Sequence, residues 1–571
     1  MNPMTDRIAW RRLYAVGKPF WISEQRYKAS AMLVAVLILL FVSSAVNVYI
    51  GKIAGETMTA LQKQEVHAFS WSMTQFAFVM LLATPITVYY QFLRTRLALV
   101  WREWLSNHLF GRFFGGHTYY KLNNDPRIDN PDQRMTQDVE TFCNSSVGLF
   151  VSVLDALVNI STFIGVLWSI SPTLSFTVVA YSVIGSFVSL WIGKKLIALN
   201  FVQSALEANL RHCLTDVRRD AESIALYNGE AREQRSSTDA LRRTIANLYD
   251  MACVNRNLGF FTIPFNLLVP LIPAAVIASL YFDNQIDFGE ITRAGMAFGT
   301  IFSGMTLLVQ QFTGISSYAA NINRVGSFVE VLDEYDAKTA DSAKTIEIVT
   351  ADRLALADVT VLTPDATRTL VENISFQLPA GSSLLIMGPS GCGKSTLLRA
   401  IAGISRAGCG RVYRPRLADL MFLPQRPYVP ECTLREALCY PSTQACGNDA
   451  QLLALLNLVR LPNLALEVGG LDAIRNWREK LSPGQQQLLS MARVILTKPK
   501  YAFLDEATSA LDPENERLLY TVLQSVGATV ISVGHRPALV EHHSHVLELL
   551  GNGSWKIHSA TEYGLTHEIS P

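Results

Sequence analysis

The sequence predicts a chain of two unlike halves: an α-helical membrane domain with six spans, followed by a cytosolic α/β domain of the P-loop ATPase type. Three observations carry this. Of 571 residues, 49% are hydrophobic and only 17% charged, well under the roughly 25% charge of an average soluble protein. Apolar stretches of bilayer length crowd the first half and are absent from the second. Finally, Gly388, Pro389, Ser390, Gly391, Cys392, Gly393, Lys394, Ser395 and Thr396 fit the pattern G-x-x-x-x-G-K-[ST] in full.

The membrane half occupies residues 1–330. Basic residues (Arg7, Arg11, Arg12, Lys18, Arg26, Lys28) precede the first apolar run without a small-residue cleavage site, so the N-terminus reads as a cytosolic segment and not a signal peptide. Spans are expected at 31–50, 69–92, 146–170, 174–192, 258–281 and 294–313. The connections between spans 3 and 4 and between 5 and 6 are short and carry little positive charge. Those at 94–145 and 193–257 are long and rich in arginine, which places them in the cytosol. Both are polar yet compatible with helix, so spans 2 to 5 should run on as long helices beyond the bilayer. Polar groups inside the spans (Asp155, Asn159, Asn266, Thr306, Gln310, Gln311) either wet a cavity or hydrogen-bond between packed helices.

Residues 331–350, rich in Asp, Glu, Lys, Ala and Thr, read as a linker, and 351–571 as the second domain. There, short runs at 354–361, 374–378, 383–387, 420–423, 502–504 and 529–533 alternate with helical segments, the pattern of an α/β core. The run 383–387 leads into the glycine loop and helical spacing follows it, the context in which backbone N–H groups and a helix N-terminus cradle phosphate. Lys394 would reach the β- and γ-phosphates, and Ser395 would ligate Mg²⁺. The run ending at Asp505 and Glu506 supplies a second metal-side oxygen from Asp505 and a water-polarising carboxylate from Glu506. A net charge of +1 gives no basic surface for nucleic acid. The eight cysteines, Cys143, Cys213, Cys253, Cys392, Cys409, Cys432, Cys439 and Cys446, show no paired metal spacing and fall in segments placed in the cytosol. Neither disulfides nor zinc are expected.

The order of parts is specific: the glycine loop, Gln425, Leu481-Ser482-Pro483-Gly484-Gln485, Asp505-Glu506, Ser509-Ala510-Leu511-Asp512, then His535. It resembles the nucleotide-binding domain of ATP-binding cassette (ABC) transporters over residues 351 to 545. The resemblance implies ATP and Mg²⁺ as cofactors, with the exporter-type membrane architecture. It also implies a metal-sensing role for Gln425 and a switch role for His535. Ser482, Gly484 and Gln485 would close on the γ-phosphate held by a second subunit. Two departures stand out: Pro483 replaces the usual glycine, removing an N–H, and Thr363 stands where relatives place an aromatic residue against adenine. With one loop and one signature per chain, the resemblance implies a half-transporter working as a homodimer.

In the membrane half, Trp101-Arg-Glu-Trp104-Leu, Asn130-Pro-Asp-Gln-Arg134 and Ala221 to Glu230 resemble the group joining peroxisomal fatty-acid ABC transporters to bacterial BacA/SbmA-related peptide importers, as do Thr363-Pro364 and Arg426-Pro427-Tyr428. Asn130 to Arg134 either brace a cytosolic helix or touch cargo. The resemblance implies a multi-pass protein of the bacterial inner membrane that imports peptides or other hydrophilic solutes. An exporter or lipid or fatty-acyl transporter of the same architecture, and a membrane-anchored ATPase sensor, remain alternatives.

Overall fold

The computed structural model describes residues 7–123, 125–340, 345–363, 367–379, 381–442 and 446–566. The chain divides into two compact units, Met1–Ala337 and Lys338–Pro571.

The described residues of the first unit are mostly helical and form no strand. Five of its helical stretches are long and apolar enough to cross a membrane: Arg26–Gln62, Val66–Leu122, Pro131–Ile170, Pro172–Arg219 and Glu230–Phe282. Several far exceed the need. The continuous helix Val66–Phe114 has 49 residues, about 70 Å at 1.5 Å per residue, against roughly 30 Å of hydrocarbon. The sixth expected span is not among the five. Its helix, Phe288–Gln310, carries Glu290 and Arg293 near its start and a run of small and hydroxylic residues through Gly295, Gly299, Thr300, Ser303 and Gly304. These suit close helix packing more than contact with lipid: a Cβ on Gly289 would lie 1.9 Å from the Gly55 carbonyl oxygen.

Two of the motifs singled out in the membrane half make structural contacts. Trp101 stacks on Phe20 of the N-terminal helix Arg7–Ile22 at 5.3 Å, edge-on to Phe142 at 5.6 Å, and Trp104 lies 5.8 Å from Phe20. Pro131 takes the first position of a short helix behind Asn130. Arg134 is buried; it donates to the carbonyls of Asp129 (3.0 Å) and Arg324 (2.9 Å), to Ser327 Oγ (2.9 Å), and to the Asp129 carboxylate. Arg324 in turn holds Asp138 at 2.7 Å. The motif thus ties to the helix Phe312–Ala340 through Arg324 and Ser327, the contacts that the bracing reading expects. That helix also corrects the linker: the expected 331–350 segment is helical to Ala340 and forms a strand over Glu347–Thr350.

The second unit is built on a six-stranded sheet in the order Trp555–Ser559, His545–Leu549, Ser383–Met387, Thr529–Val533, Tyr501–Asp505, Leu420–Leu423. All neighbours are parallel except the antiparallel first pair. The parallel strands are apolar almost without interruption because helices cover both faces. A four-stranded sheet (Glu347–Thr350, Gly408–Arg414, Leu354–Leu362, Thr369–Leu378) lies beside it. Contrary to the cysteine reading, Cys439 and Cys446 are joined by a disulfide that closes a loop of sequence separation 7. That spacing lies outside the C-x-x-C patterns by which a pair is recognised in sequence.

Candidate nucleotide site and membrane cavity

The parallel strands of the six-stranded sheet deliver the candidate site at their C-terminal ends, where an open α/β sheet leaves its crevice. Behind Ser383–Met387 the chain enters the glycine loop. Gly388 has φ 144°, and a Cβ there would meet the Leu549 carbonyl oxygen at 2.4 Å; Gly393 has φ 104°, and a Cβ would meet Leu370 Cβ at 2.9 Å. Neither position admits a side chain. The helix Lys394–Ala402 then starts from Gly393 with no side-chain cap, leaving its first N–H groups directed at the loop, an arrangement that suits an anion. Lys394 is buried, and its Nζ donates to the carbonyls of Gly388 (2.8 Å) and Pro389 (2.9 Å) across the same loop.

Neighbouring strands complete the cluster. Ser395 Oγ donates to Asp505 Oδ1 at 2.8 Å, so a hydroxyl and a carboxylate stand side by side, the hard oxygen donors that Mg²⁺ takes together with substrate phosphates. Glu506 accepts from Gln425 Nε2 at 2.8 Å through Oε2, while its Oε1 lies 3.0 Å from His535 Nε2. Gln425 thus keeps its amide oxygen free of that bond. Glu506 adopts φ 51°, and its N–H donates to the Val533 carbonyl at 3.1 Å, hooking the carboxylate to the strand that precedes His535. Lys394, Ser395 and Asp505 therefore form one group, and Gln425, Glu506 and His535 another beside it.

Ser482, Gly484 and Gln485 are placed elsewhere, at the start of the helix Pro483–Thr497. Ser482 Oγ accepts from the Gln485 N–H (3.3 Å) and Gln485 Oε1 from the Ser482 N–H (2.9 Å), a reciprocal cap. Pro483 occupies the first helical position, where its missing N–H costs no intrahelical bond. Gly484 sits under the Ala510 carbonyl, 3.0 Å from where a Cβ would be. Thr363 follows the strand Leu354–Leu362, its N–H donating to the Arg368 carbonyl at 2.9 Å; Pro364 lies outside the described residues.

Sequence reasoning missed Gln487. It is buried, its Nε2 donating to the Gln425 carbonyl and its Oε1 accepting from the Ala510 N–H, each at 3.3 Å. One side chain thereby ties the Gln425 loop and the 509–512 loop to the signature helix. Arg536 adds a second tie, to Glu516 at 2.9 Å and the Leu511 carbonyl at 3.5 Å.

Within the membrane unit, a cavity of ≈ 530 Å³ opens between the helices Val139–Ile170 and Phe288–Gln310, lined by Ser152, Asp155, Asn159, Gly299, Thr300 and Ser303 among others. Asn159 also bonds between helices, accepting from Ser44 Oγ at 3.0 Å. Of the other polar groups expected inside the spans, Asn266 and Gln311 are exposed and are not among the described lining residues, and Thr306 donates to the Phe302 carbonyl of its own helix at 2.9 Å. The side chain of Gln310 lies outside the described residues.

Fold and site together define a P-loop ATPase carried on the same chain as a bundle of membrane helices. Residues 19–280 match the family "ABC transporter transmembrane region 2" and residues 371–509 the family "ABC transporter". The chain is 42% identical to an uncharacterized ABC transporter ATP-binding protein of Synechocystis over 94% of its own length and 82% of the relative's. It is 33% identical to ABC transporter D family member 2, chloroplastic, of Arabidopsis thaliana (95% and 86% covered), and 30% identical to the lysosomal cobalamin transporter ABCD4 of Mus musculus (96% and 95%). The chain belongs to the ABC transporter family. One membrane unit and one ATPase unit make it a half-transporter, homologous to D-family members, whose hydrolysis of ATP is coupled to transport.

Proposed function

We propose that the protein is a homodimeric importer of hydrophilic solutes, peptides among them, in the bacterial inner membrane. The N-terminus and the ATPase unit stand in the cytosol, and Phe288–Gln310 serves as the sixth span. The polar lining of the cavity carries this reading: hydroxyls, an amide and a carboxylate at membrane depth are costly unless they face water or a polar cargo. The cobalamin named for the mouse relative is itself such a cargo.

ATP is bound by the loop Gly388 to Thr396, with Lys394 leaving its loop carbonyls for the β- and γ-phosphates. Ser395, Asp505 and the amide oxygen of Gln425 would hold Mg²⁺, which neutralises charge on the phosphates. Glu506 orients the attacking water in line with the γ-phosphate and accepts its proton, and His535 steadies Glu506 and the phosphate oxygens. Ser482, Gly484 and Gln485 of one copy close on the phosphate held by the other, and that closure alternates the access of the membrane unit.

The test is uptake of a labelled hydrophilic peptide by proteoliposomes. Label should move toward the side bearing the ATPase unit, only with MgATP, and should stop in Lys394→Ala. Movement away from the ATPase side, or transport of acyl chains in place of the peptide, would overturn the reading.

A further inference from the structure

We infer that the membrane cavity selects cationic, hydrogen-bonding solutes and that Asp155 sets this preference; the inference rests on the hydrophilic-cargo reading and adds its charge. Among the described residues that line the cavity, Asp155 is the only charged side chain. Its Oδ1 accepts from Asn159 Nδ2 at 3.1 Å, and Asn159 is held by Ser44 of another helix. A relay of neutral groups thus orients the carboxylate without neutralising it. Among the described residues, Oδ2 has no protein partner and no basic side chain forms an ion pair with Asp155. Arg94 of the neighbouring helix is near enough to act on Asp155 through space but makes no ion pair with it; its Nη2 donates instead to Ser152 Oγ (3.2 Å) one turn before Asp155 and to the Gly148 carbonyl (3.0 Å) two turns before it.

A carboxylate kept for packing would be paired, since an unpaired charge in a low-dielectric surround is expensive. An asparagine in its place would accept the same bond from Asn159, so the hydrogen bond alone does not account for the acid. The opposite wall offers the hydroxyl residues Thr300 and Ser303 but, among the described residues, no charge. Gly295, Gly299 and Ser303 recur every four residues along one face of Phe288–Gln310, which leaves width for a cargo and concentrates recognition on the Asp155 side. In a dimer two such carboxylates would face the cargo path, and the free cation that best matches them is a lysine or arginine side chain or an amine.

The test uses the full-length dimer in liposomes and a hexapeptide series identical except for two central positions, filled by lysine, serine or glutamate. The quantity read is the concentration that half-stimulates ATP hydrolysis. In the wild type the lysine peptide should act at a concentration about tenfold below the serine peptide, with the glutamate peptide weakest. In Asp155→Asn the lysine-to-serine ratio should collapse toward one, and in Asp155→Glu the order should survive, which separates lost charge from lost fold. Equal response of the wild type to lysine and serine peptides, or a ratio unchanged in Asp155→Asn, overturns charge selection while leaving the hydrophilic reading intact. Stimulation by none of the three removes that reading, and the inference with it; palmitoyl-CoA as a fourth probe then reports the lipid alternative.

Discussion

Glu506 sits in a left-handed backbone conformation, φ 51°, which a non-glycine residue adopts at a cost of about 1 kcal/mol or more. It is fixed there by its N–H bond to Val533 and by side-chain contacts with Gln425 and His535. The conformation holds the carboxylate between Gln425 and His535 at the end of the strand that carries Asp505, the position that the proposed base requires. Glu506→Gln keeps the shape and a partner for His535 but loses the proton acceptor. Its ATP hydrolysis should fall by about 10²-fold or more, the usual size of a general-base contribution, while nucleotide binding persists. Phosphate release and filter binding of labelled ATP measure the two; turnover near wild type would remove Glu506 from the role. Gln487 lies one step further out. Gln487→Leu leaves the Ala510 N–H and the Gln425 carbonyl without their bridge, so it should destabilise the ATPase unit by about 1–2 kcal/mol and slow hydrolysis without changing affinity for ATP. A denaturation midpoint and a turnover number report both effects.

At the scale of elements, the strand Thr529–Val533 is locked to the turn that follows it by a buried polar chain. Tyr520 OH donates to Ser532 Oγ (3.1 Å), Ser532 lies 2.8 Å from His543 Nε2, and His543 Nδ1 lies 2.7 Å from the Leu539 carbonyl. Only a neutral imidazole satisfies this chain: Nδ1–H donates to Leu539, and Nε2 accepts the Ser532 proton. Burial pushes the imidazole down to about 4, below the ordinary value of about 6.5. Because the unfolded chain takes the proton first, the stability contributed by neutral His543 is full above pH ~6.5 and is lost as pH falls from there toward about 4. Between pH ~7 and pH ~5 the loss is ~2 kcal/mol. Urea midpoints of the ATPase unit in the full chain should show it, and His543→Gln should flatten the slope. A slope unchanged by the substitution would refute the assignment. The elements differ in how legible they are in sequence. Ser383–Met387, Leu420–Leu423 and Thr529–Val533 have the bounds expected for them, because each is an apolar run closed by polar or turn residues. Gly408–Arg414 carries two glycines and two arginines and reads as no strand; it forms one because Gly408 and Gly410 let its backbone press against Leu354–Leu362. The edge strand Glu347–Thr350 is equally mute, its pairing being decided by Gly408–Arg414 some sixty residues on. In the candidate site, motif order singled out Lys394, Ser395, Asp505, Gln425, Glu506 and His535, which the fold groups at the strand ends, but not Gln487: three successive glutamines, Gln485 to Gln487, look alike until the fold buries the last one.

At the scale of the whole molecule, the cap of Ser482 and Gln485 on Pro483–Thr497 shares no hydrogen bond with Lys394, Ser395 or Glu506 among the described residues. In the homodimer proposed above, each site draws its signature from the other copy. This makes a complementation experiment decisive. Lys394→Ala removes the phosphate cation, and Gly484→Asp places a carboxylate beside the Ala510 carbonyl where the phosphate should close. Each homodimer should be inactive, since either change spoils both sites. In a heterodimer of the two variants, one site combines both lesions and the other combines the intact loop of the second chain with the intact signature of the first. Purified through two different tags, that heterodimer should recover about half of wild-type hydrolysis if the sites fire independently, by the isologous symmetry of a two-fold dimer. If the sites fire only together, recovery is lower, but single-site nucleotide trapping by vanadate should still appear in the heterodimer and in neither parent. Absence of both recovery and trapping would mean that loop and signature act within one chain, and the homodimeric reading would fall.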